Sequence, residues 1–219
     1  MKQTTVIVPT YNCQNYIERC LRSLEDQTIN RDSYEIIVIN DGSTDNTASI
    51  VKSKFKKVIL EDRKTNMGLP SSINAGIRMA STRYIVRVDS DDYVHENFLE
   101  LLQLTINLNP EYEAVACDYF EVDENEAHSQ KFNCLDLPIA CGILFKQKTL
   151  IELGLYDEKM LRREEEDLMM RFEENNHKLL RLPLPLYRYR KHENNISNNK
   201  GMAKKFANVL KNKHSKLKK

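Results

Sequence analysis

The sequence predicts an α/β fold, a three-layer sandwich around a mostly parallel central sheet. Three observations predict it. Short β-branched runs alternate with helical patterns through the first 110 residues, the rhythm of βαβ units. The run over 34–41 is apolar almost without a break, as expected of a strand covered on both faces. Polar residues gather directly after each run, at the carboxyl edge where open α/β sheets bind ligands.

Each element has its own signal. TTVIVP (4–9) is a strand by its β-branched content. NYIERCLRSLEDQ (15–27) sets Ile17, Cys20, Leu21 and Leu24 on one helical face. YEIIVIND (34–41) is the second strand, and TDNTASIVKSKF (44–55) opens a helix on capping residues. KVILE (57–61) is the third strand. LPSSINAGIRMAS (69–81) is a helix with Pro70 near its start. RYIVRVD (83–89) is the fourth strand and HENFLELLQLTINL (95–108) the next helix.

The rhythm loosens after Pro110. A strand running into a turn is expected over 112–124, a strand and short helix over 139–154, and a helix over 163–176 with acids crowded into its first turn. Residues 177–192 read as extended, punctuated by Pro183 and Pro185. The tail over 200–219 is rich in lysine and has no acid.

Composition narrows the function. With 41% hydrophobic residues in 219, the chain can bury a sizeable core. Lys+Arg 33 against Asp+Glu 32 leaves a net charge of +1, so no nucleic acid partner is expected. The five cysteines, Cys13, Cys20, Cys117, Cys134 and Cys141, include no CxxC pair. Reduced thiols in a cytoplasmic protein are the natural reading. No apolar run approaches the roughly 20 residues of a spanning helix.

RVDSDDYV (87–94) sets Asp89, Asp91 and Asp92 at the end of the fourth strand. Two readings stand. Hard oxygen ligands so spaced suit Mg²⁺ or Mn²⁺ on a phosphate. A turn followed by an N-cap, supplied by Asp92, explains them equally well. Three other strand ends on the same edge carry polar groups: Tyr11 and Asn12, Asp41, and Asp62 with Arg63. That convergence favours a ligand site. Asp41, at the strand end itself, is placed to accept from a nucleobase or ribose, whereas Asp45 reads as turn chemistry. VPTYNCQ after the first strand is neither GxGxxG nor a P-loop, which disfavours both dinucleotide and Walker-type binding.

VIVPTYN, VINDGSTDNT, NMGLPSSINAGI and VDSDD, followed in order by CGILFKQKTLIELGLYDE, EEED and YRYRKHENNIS, resemble the inverting nucleotide-sugar glycosyltransferases of family two, which have the GT-A fold. The resemblance spans roughly 4–198. It implies one GT-A domain over 1–198, with a nucleotide-binding half (1–110) and an acceptor-binding half (111–198), before a basic amphipathic tail (199–219). It also implies roles. Pro9 and Tyr11 would frame the nucleobase and Asp41 would hydrogen-bond it. Asn66 and Gly68 would line the nucleotide, and Asp89 would reach the ribose or sugar. Asp91 would hold Mn²⁺ or Mg²⁺. Asp167 would be the general base, with Glu166 as the fallback. His192 reads either as a metal or diphosphate contact or as an exposed loop histidine.

The expected partners are a nucleotide-sugar donor, UDP-linked, and a glycan or lipid-linked glycan acceptor. The tail reads either as a solvated helix or, through Met202, Phe206, Val209 and Leu210, as a peripheral contact at the inner face of a membrane. The rival readings are a non-catalytic nucleotide-sugar-binding module and a sugar nucleotidyltransferase. Of Tyr187–Arg190, either the tyrosine pair or the arginine pair is expected to face the site.

Overall fold

The structure, a computed structural model, describes residues 2–193 together with 206, 207, 209, 210, 213 and 214. Residues 194–198 of the expected acceptor half, Met202 and most of the tail lie outside the described residues. The nucleotide half contains β1 (Thr4–Thr10), α1 (Ile17–Glu25), β2 (Tyr34–Asn40), α2 (Thr47–Lys54), β3 (Ile59–Asp62), α3 (Leu69–Met79) and β4 (Tyr84–Arg87). The short β5 (Tyr93–Val94) and α4 (Phe98–Leu108) follow. Then come β6 (Ala114–Val122), β7 (His128–Phe132), β8 (Ile143–Lys146), α5 (Gln147–Glu152), α6 (Glu164–Glu174) and β9 (Leu179–Arg190).

One sheet runs β3-β2-β1-β4-β8-β6-β9-β5, with β7 on β6. The parallel expectation holds for β3, β2, β1 and β4. Beyond β4 the sheet is mixed: β8 enters antiparallel to both β4 and β6, while β9 runs parallel to β6. The β6–β9 register slips between Cys117 and Asp118, where the partner passes from Leu182 to Pro185. Prolines cannot donate to the ladder, so Pro183 and Pro185 sit where pairing breaks.

Side chains alternate across the sheet into two cores. Val6, Val8, Ile36, Val38 and Val86 pack against α1, α2 and α4. Ile7, Ile85, Ile143 and Phe145 pack against α3, α5 and α6. This is the three-layer arrangement that βα alternation dictates. The face of α1 that is buried is the expected one, with Ile17, Cys20, Leu21 and Leu24 inside. All five cysteines are buried free thiols. No described helix is long and apolar enough to cross a membrane. In the tail, Phe206 and Leu210 pack inward with Met160 and Met170, whereas Val209 is exposed. The apolar stripe is therefore split, and its described inner members are occupied by the protein itself.

Candidate active site

The carboxyl edge of β1–β4 is built by two interlocked loops. Asn12, in the left-handed region at φ 50°, accepts from the Thr44 amide at 2.8 Å, and its own amide donates to Ser43. Cys13 N–H donates to Thr47 Oγ1, and Gln14 N–H to Asp45. Asp45 also accepts from the Thr47 amide at the start of α2, the turn chemistry expected of it. Pro9 is buried within β1, and Tyr11 stands 49% exposed at the rim.

Asp41 is buried at the end of β2 and organises the next loop. Its carboxylate accepts from Arg63 at 3.1 Å and from the amides of Met67 at 3.1 Å and Gly68 at 2.8 Å. Asn66 Oδ1 also accepts from Gly68 N–H. Gly42 is required beneath this loop. Its φ is +76°, and an added Cβ would lie 2.7 Å from the carbonyl carbon of Thr65.

The aspartates divide the work. Arg87, buried at the end of β4, grips Asp89 with two hydrogen bonds, at 2.6 and 3.0 Å. This is the ion-pair role that an arginine on an apolar strand suggests. Asp91 meets His192 Nε2 at 2.9 Å. His192 is nearly buried and stacks on Tyr16 at 4.8 Å, so the exposed-loop reading fails. Burial pushes the Asp91 carboxyl up, and the Asp89 charge adds to the shift.

Asp92 caps no helix, since Asn97 takes the N-cap position of α4. It is enclosed and accepts from Tyr187 O–H at 2.7 Å and from the Arg190 amide at 2.8 Å. Neither the tyrosine pair nor the arginine pair alone meets the cluster: Tyr187 and Arg190, one from each, both reach it. Tyr187 approaches from one side, while Arg190 holds the carbonyl of Asp91 at 2.9 Å.

Atoms of Asp89, Asp92 and Cys141 lie within 4.8 Å of one another. Asp92 is nevertheless committed to Tyr187 and Arg190. At the rim, the Asp91 carboxylate and the His192 imidazole are side chains that could hold a divalent ion.

The first turn of α6 resolves its four acids by direction. Glu164 pairs with Arg87 at 3.1 Å, which ties this turn to Asp89. Glu165 is 8% exposed; Tyr156 O–H donates to its Oε2 at 2.8 Å, and Oε1 is buried without a partner among the described residues. Burial pushes the Glu165 carboxyl up to about 8 against the Arg87 charge and the Tyr156 hydrogen bond. Glu166 is exposed and pairs with Arg163 at 2.7 Å.

Asp167 is fully buried and turned toward the tail. It meets His214 at 2.9 Å, Lys213 at 2.7 Å and Arg171 at 3.0 Å. Those contacts hold its carboxyl below the usual range despite burial. Two residues along a helix differ by about 200°, so Glu165 and Asp167 point nearly oppositely. The structure thus gathers Asp41, Asn66, Gly68, Asp89, Asp91 and His192 along one edge. It ties Glu164 to that edge through Arg87, buries Glu165 against Tyr156, and turns Glu166 to Arg163 and Asp167 toward the tail. Position within EEED carried no signal for this choice.

The model of Glycosyl transferase family 2 matches residues 5–176. The chain belongs to this family. A glycosyltransferase, GlyA of Streptococcus pneumoniae, is 39% identical over 126 residues, which are 56% of this chain and 17% of that protein. The poly(ribitol-phosphate) beta-N-acetylglucosaminyltransferase TarS of Staphylococcus aureus is 37% identical over 103 residues, 46% of this chain and 18% of that one. Matched stretches thus make up a small part of these curated relatives' length. A solved structure of TarS 1-349 in complex with UDP-GlcNAc superposes with TM-score 0.76 at 24% identity, covering 90% of this chain and 61% of that one. The mannosyltransferase PcManGT of Pyrobaculum calidifontis, in complex with GDP-Man and Mn²⁺, gives 0.72 at 20%, covering 88% and 58%. Both likenesses are likenesses of fold, and they agree with the mixed α/β sheet of this family-2 domain.

Proposed function

We propose that this family-2 domain transfers a sugar from a UDP-linked donor to a hydroxyl of a growing glycan, with inversion at the anomeric carbon. One observation carries the reading. The Arg87 guanidinium joins Asp89, at the nucleotide edge, to Glu164 in the first turn of α6, so both ends of a displacement reaction share one site. The TarS complex with UDP-GlcNAc supports the uridine donor by likeness of fold.

Tyr11 stacks on the base beside Pro9. Asp41 keeps Arg63 and the 66–68 loop in shape, and its remaining lone-pair capacity accepts the imide N–H of uracil. Asn66 and Gly68 line the nucleotide, and Asp89 reaches the ribose or sugar. Asp91 and His192 would hold Mn²⁺ or Mg²⁺, which when bound neutralises charge on the departing diphosphate. Inversion needs a base on the face opposite the leaving group. For that role we take Glu165 over Asp167 and Glu166: it follows the Glu164 held by Arg87, and its Oε1 has no partner among the described residues.

The test is a panel of nucleotide sugars scored for Mn²⁺-dependent release of nucleoside diphosphate. Glu165→Gln should abolish turnover and Asp91→Asn the metal response. Absence of consumption of every donor favours a binding module; release of pyrophosphate instead points to a nucleotidyltransferase. The lysines of the tail are proposed to add weak contact with anionic membrane. Equal flotation on anionic liposomes with and without residues 200–219 would sink that contact.

A further inference from the structure

The described residues of the tail turn one face inward. Phe206, Leu210, Lys213 and His214 fall at the spacing of a single helical face, while Val209 is exposed. Phe206 and Leu210 pack with Met160 in the loop before α6 and with Met170 of α6 itself. Lys213 Nζ donates to Asp157 at 2.7 Å and meets Asp167 at 2.7 Å. His214 meets Asp167 at 2.9 Å and Glu174 at 3.1 Å. The tail thus spans from α6 to the loop over 157–163.

That loop reaches the nucleotide edge. Its start is fixed from α3, where Asn74 Nδ2 donates to the Tyr156 carbonyl at 2.9 Å and to Glu158 Oε1 at 3.0 Å. Its middle is held by the tail, through Asp157 and Met160. The next residue, Leu161, lies against Gly68: a Cβ added at Gly68 would come 3.0 Å from Leu161 Cδ2. Gly68 in turn donates its amide to Asp41. The 66–68 loop is therefore held between a buried carboxylate and a leucine whose chain neighbour the tail pins.

Plain packing accounts for the burial of Phe206 and Leu210. It does not call for Lys213 to join Asp157 of the loop to Asp167 of α6, a contact that fixes the loop on the helix.

We propose that Phe206, Leu210 and Lys213 are positioning residues for donor binding: they strap the 157–163 loop to α6, keep Leu161 on Gly68, and so hold the 66–68 loop in the shape that takes the nucleotide. This rests on 66–68 being a nucleotide loop, and not on which acid of α6 is the base. A loop ordered in advance spares the ligand the cost of ordering it. With the tail detached, Leu161 loses its anchored neighbour and the nucleotide bears that cost itself.

The test uses the full chain, with UDP and Mn²⁺ as the probe. Phe206→Asp puts a charge against Met160 and should raise the UDP Kd about fivefold by calorimetry. Val209→Asp, the same charge on the exposed side, should leave it within about twofold. Leu161→Ala, at the far end of the route, should weaken UDP by a similar factor to Phe206→Asp. The two together should cost little more than either, because both act through one contact. Full additivity would overturn the route.

Amide hydrogen exchange separates positioning from a general loss of stability. In Phe206→Asp, peptides over 157–163 and 66–68 should exchange faster while those of β1 and β2 keep the parent's rates. If Phe206→Asp misfolds, Lys213→Gln, a milder release, should show the same pattern with a smaller rise in Kd. Unchanged UDP affinity beside a loosened 157–163 would make the tail a structural cover and overturn the proposal, and so would unchanged exchange at 66–68. A parent that binds no UDP would overturn the nucleotide reading instead; exchange at 66–68 then still decides whether the tail holds that loop.

Discussion

Replacing Arg87 with methionine removes a cation that bridges β4 to α6. The side chain is 7% exposed and serves two carboxylates, Asp89 with 24% and Glu164 with 8% side-chain exposure. Methionine fills a similar volume, so the main effect is electrostatic: two acids are left close together in a poorly solvated site. Breaking a buried pair by deleting one partner costs roughly 3–5 kcal/mol. For a chain of this size, each kcal/mol lowers Tm by about 2–4 °C, which sets an expected drop of roughly 6–20 °C. Lysine should recover only part, because a point charge cannot make the two-pronged grip on Asp89. Calorimetry with urea melts at pH 7 measures this. Activity should fall on the order of 10²-fold in whatever fraction remains folded, since Asp89 and the α6 turn lose their common support. An Arg87→Met protein melting within a degree or two of the parent would refute the claim that this guanidinium joins the two halves of the site.

Other outcomes follow from the same geometry. Glu165→Gln should lose roughly 10²–10⁴-fold in turnover while raising Tm at neutral pH, because the neutral amide carries no burial cost of a charge. Asp167→Asn should do the reverse, losing roughly 2–3 kcal/mol because Lys213 and Arg171, both partly exposed, keep some solvent; urea melts beside donor hydrolysis separate the two, and an inactive but stable Asp167→Asn would restore that residue as the base. Because the Glu165 carboxyl sits at about 8 in the fold against an ordinary 4.5, the folded chain holds an extra proton between those values, so stability should fall as pH rises from about 5 to 8. The slope approaches about 1.4 kcal/mol per pH unit, and Glu165→Gln should flatten it in urea midpoints taken across that range. By the same shift, the acid limb of kcat/KM for donor hydrolysis should lie near pH 8, and a limb below pH 6 would contradict it. Gly42→Ala should cost roughly 1–3 kcal/mol and weaken UDP binding by calorimetry, since its Cβ would displace Thr65 and Asn66.

The first half of the fold was legible because its signals are local. A buried parallel strand is apolar nearly throughout, and β2 is, with Glu35 and Asn40 the exceptions near its ends; an amphipathic helix must repeat its apolar residues, and α1 does. The loss of the parallel pattern beyond β4 was not legible. The direction of β8 depends on which edge remains open after β4 has paired with β1, a fact about topology that no single run carries. Asp92 illustrates the same limit. Its N-cap reading was sound local chemistry, but its partners, Tyr187 and Arg190, come from nearly a hundred residues away.

The acids of α6 show why a motif can be found and its working residue still missed. Four consecutive carboxylates at a helix start all satisfy the macrodipole, so composition cannot rank them. What ranks them is the phase of the helix, set where the chain enters it. Arg163 enters with φ 59°, in the left-handed region that side chains rarely occupy, and so gives no sequence warning. From that entry Glu164 falls on Arg87, Glu165 on Tyr156, Glu166 on solvent and Asp167 on His214. A shift of one residue in the entry would rotate the helix by about 100° and exchange those partners. The identity of the acid at the site is therefore a property of one backbone turn together with the arginine and tyrosine that receive it.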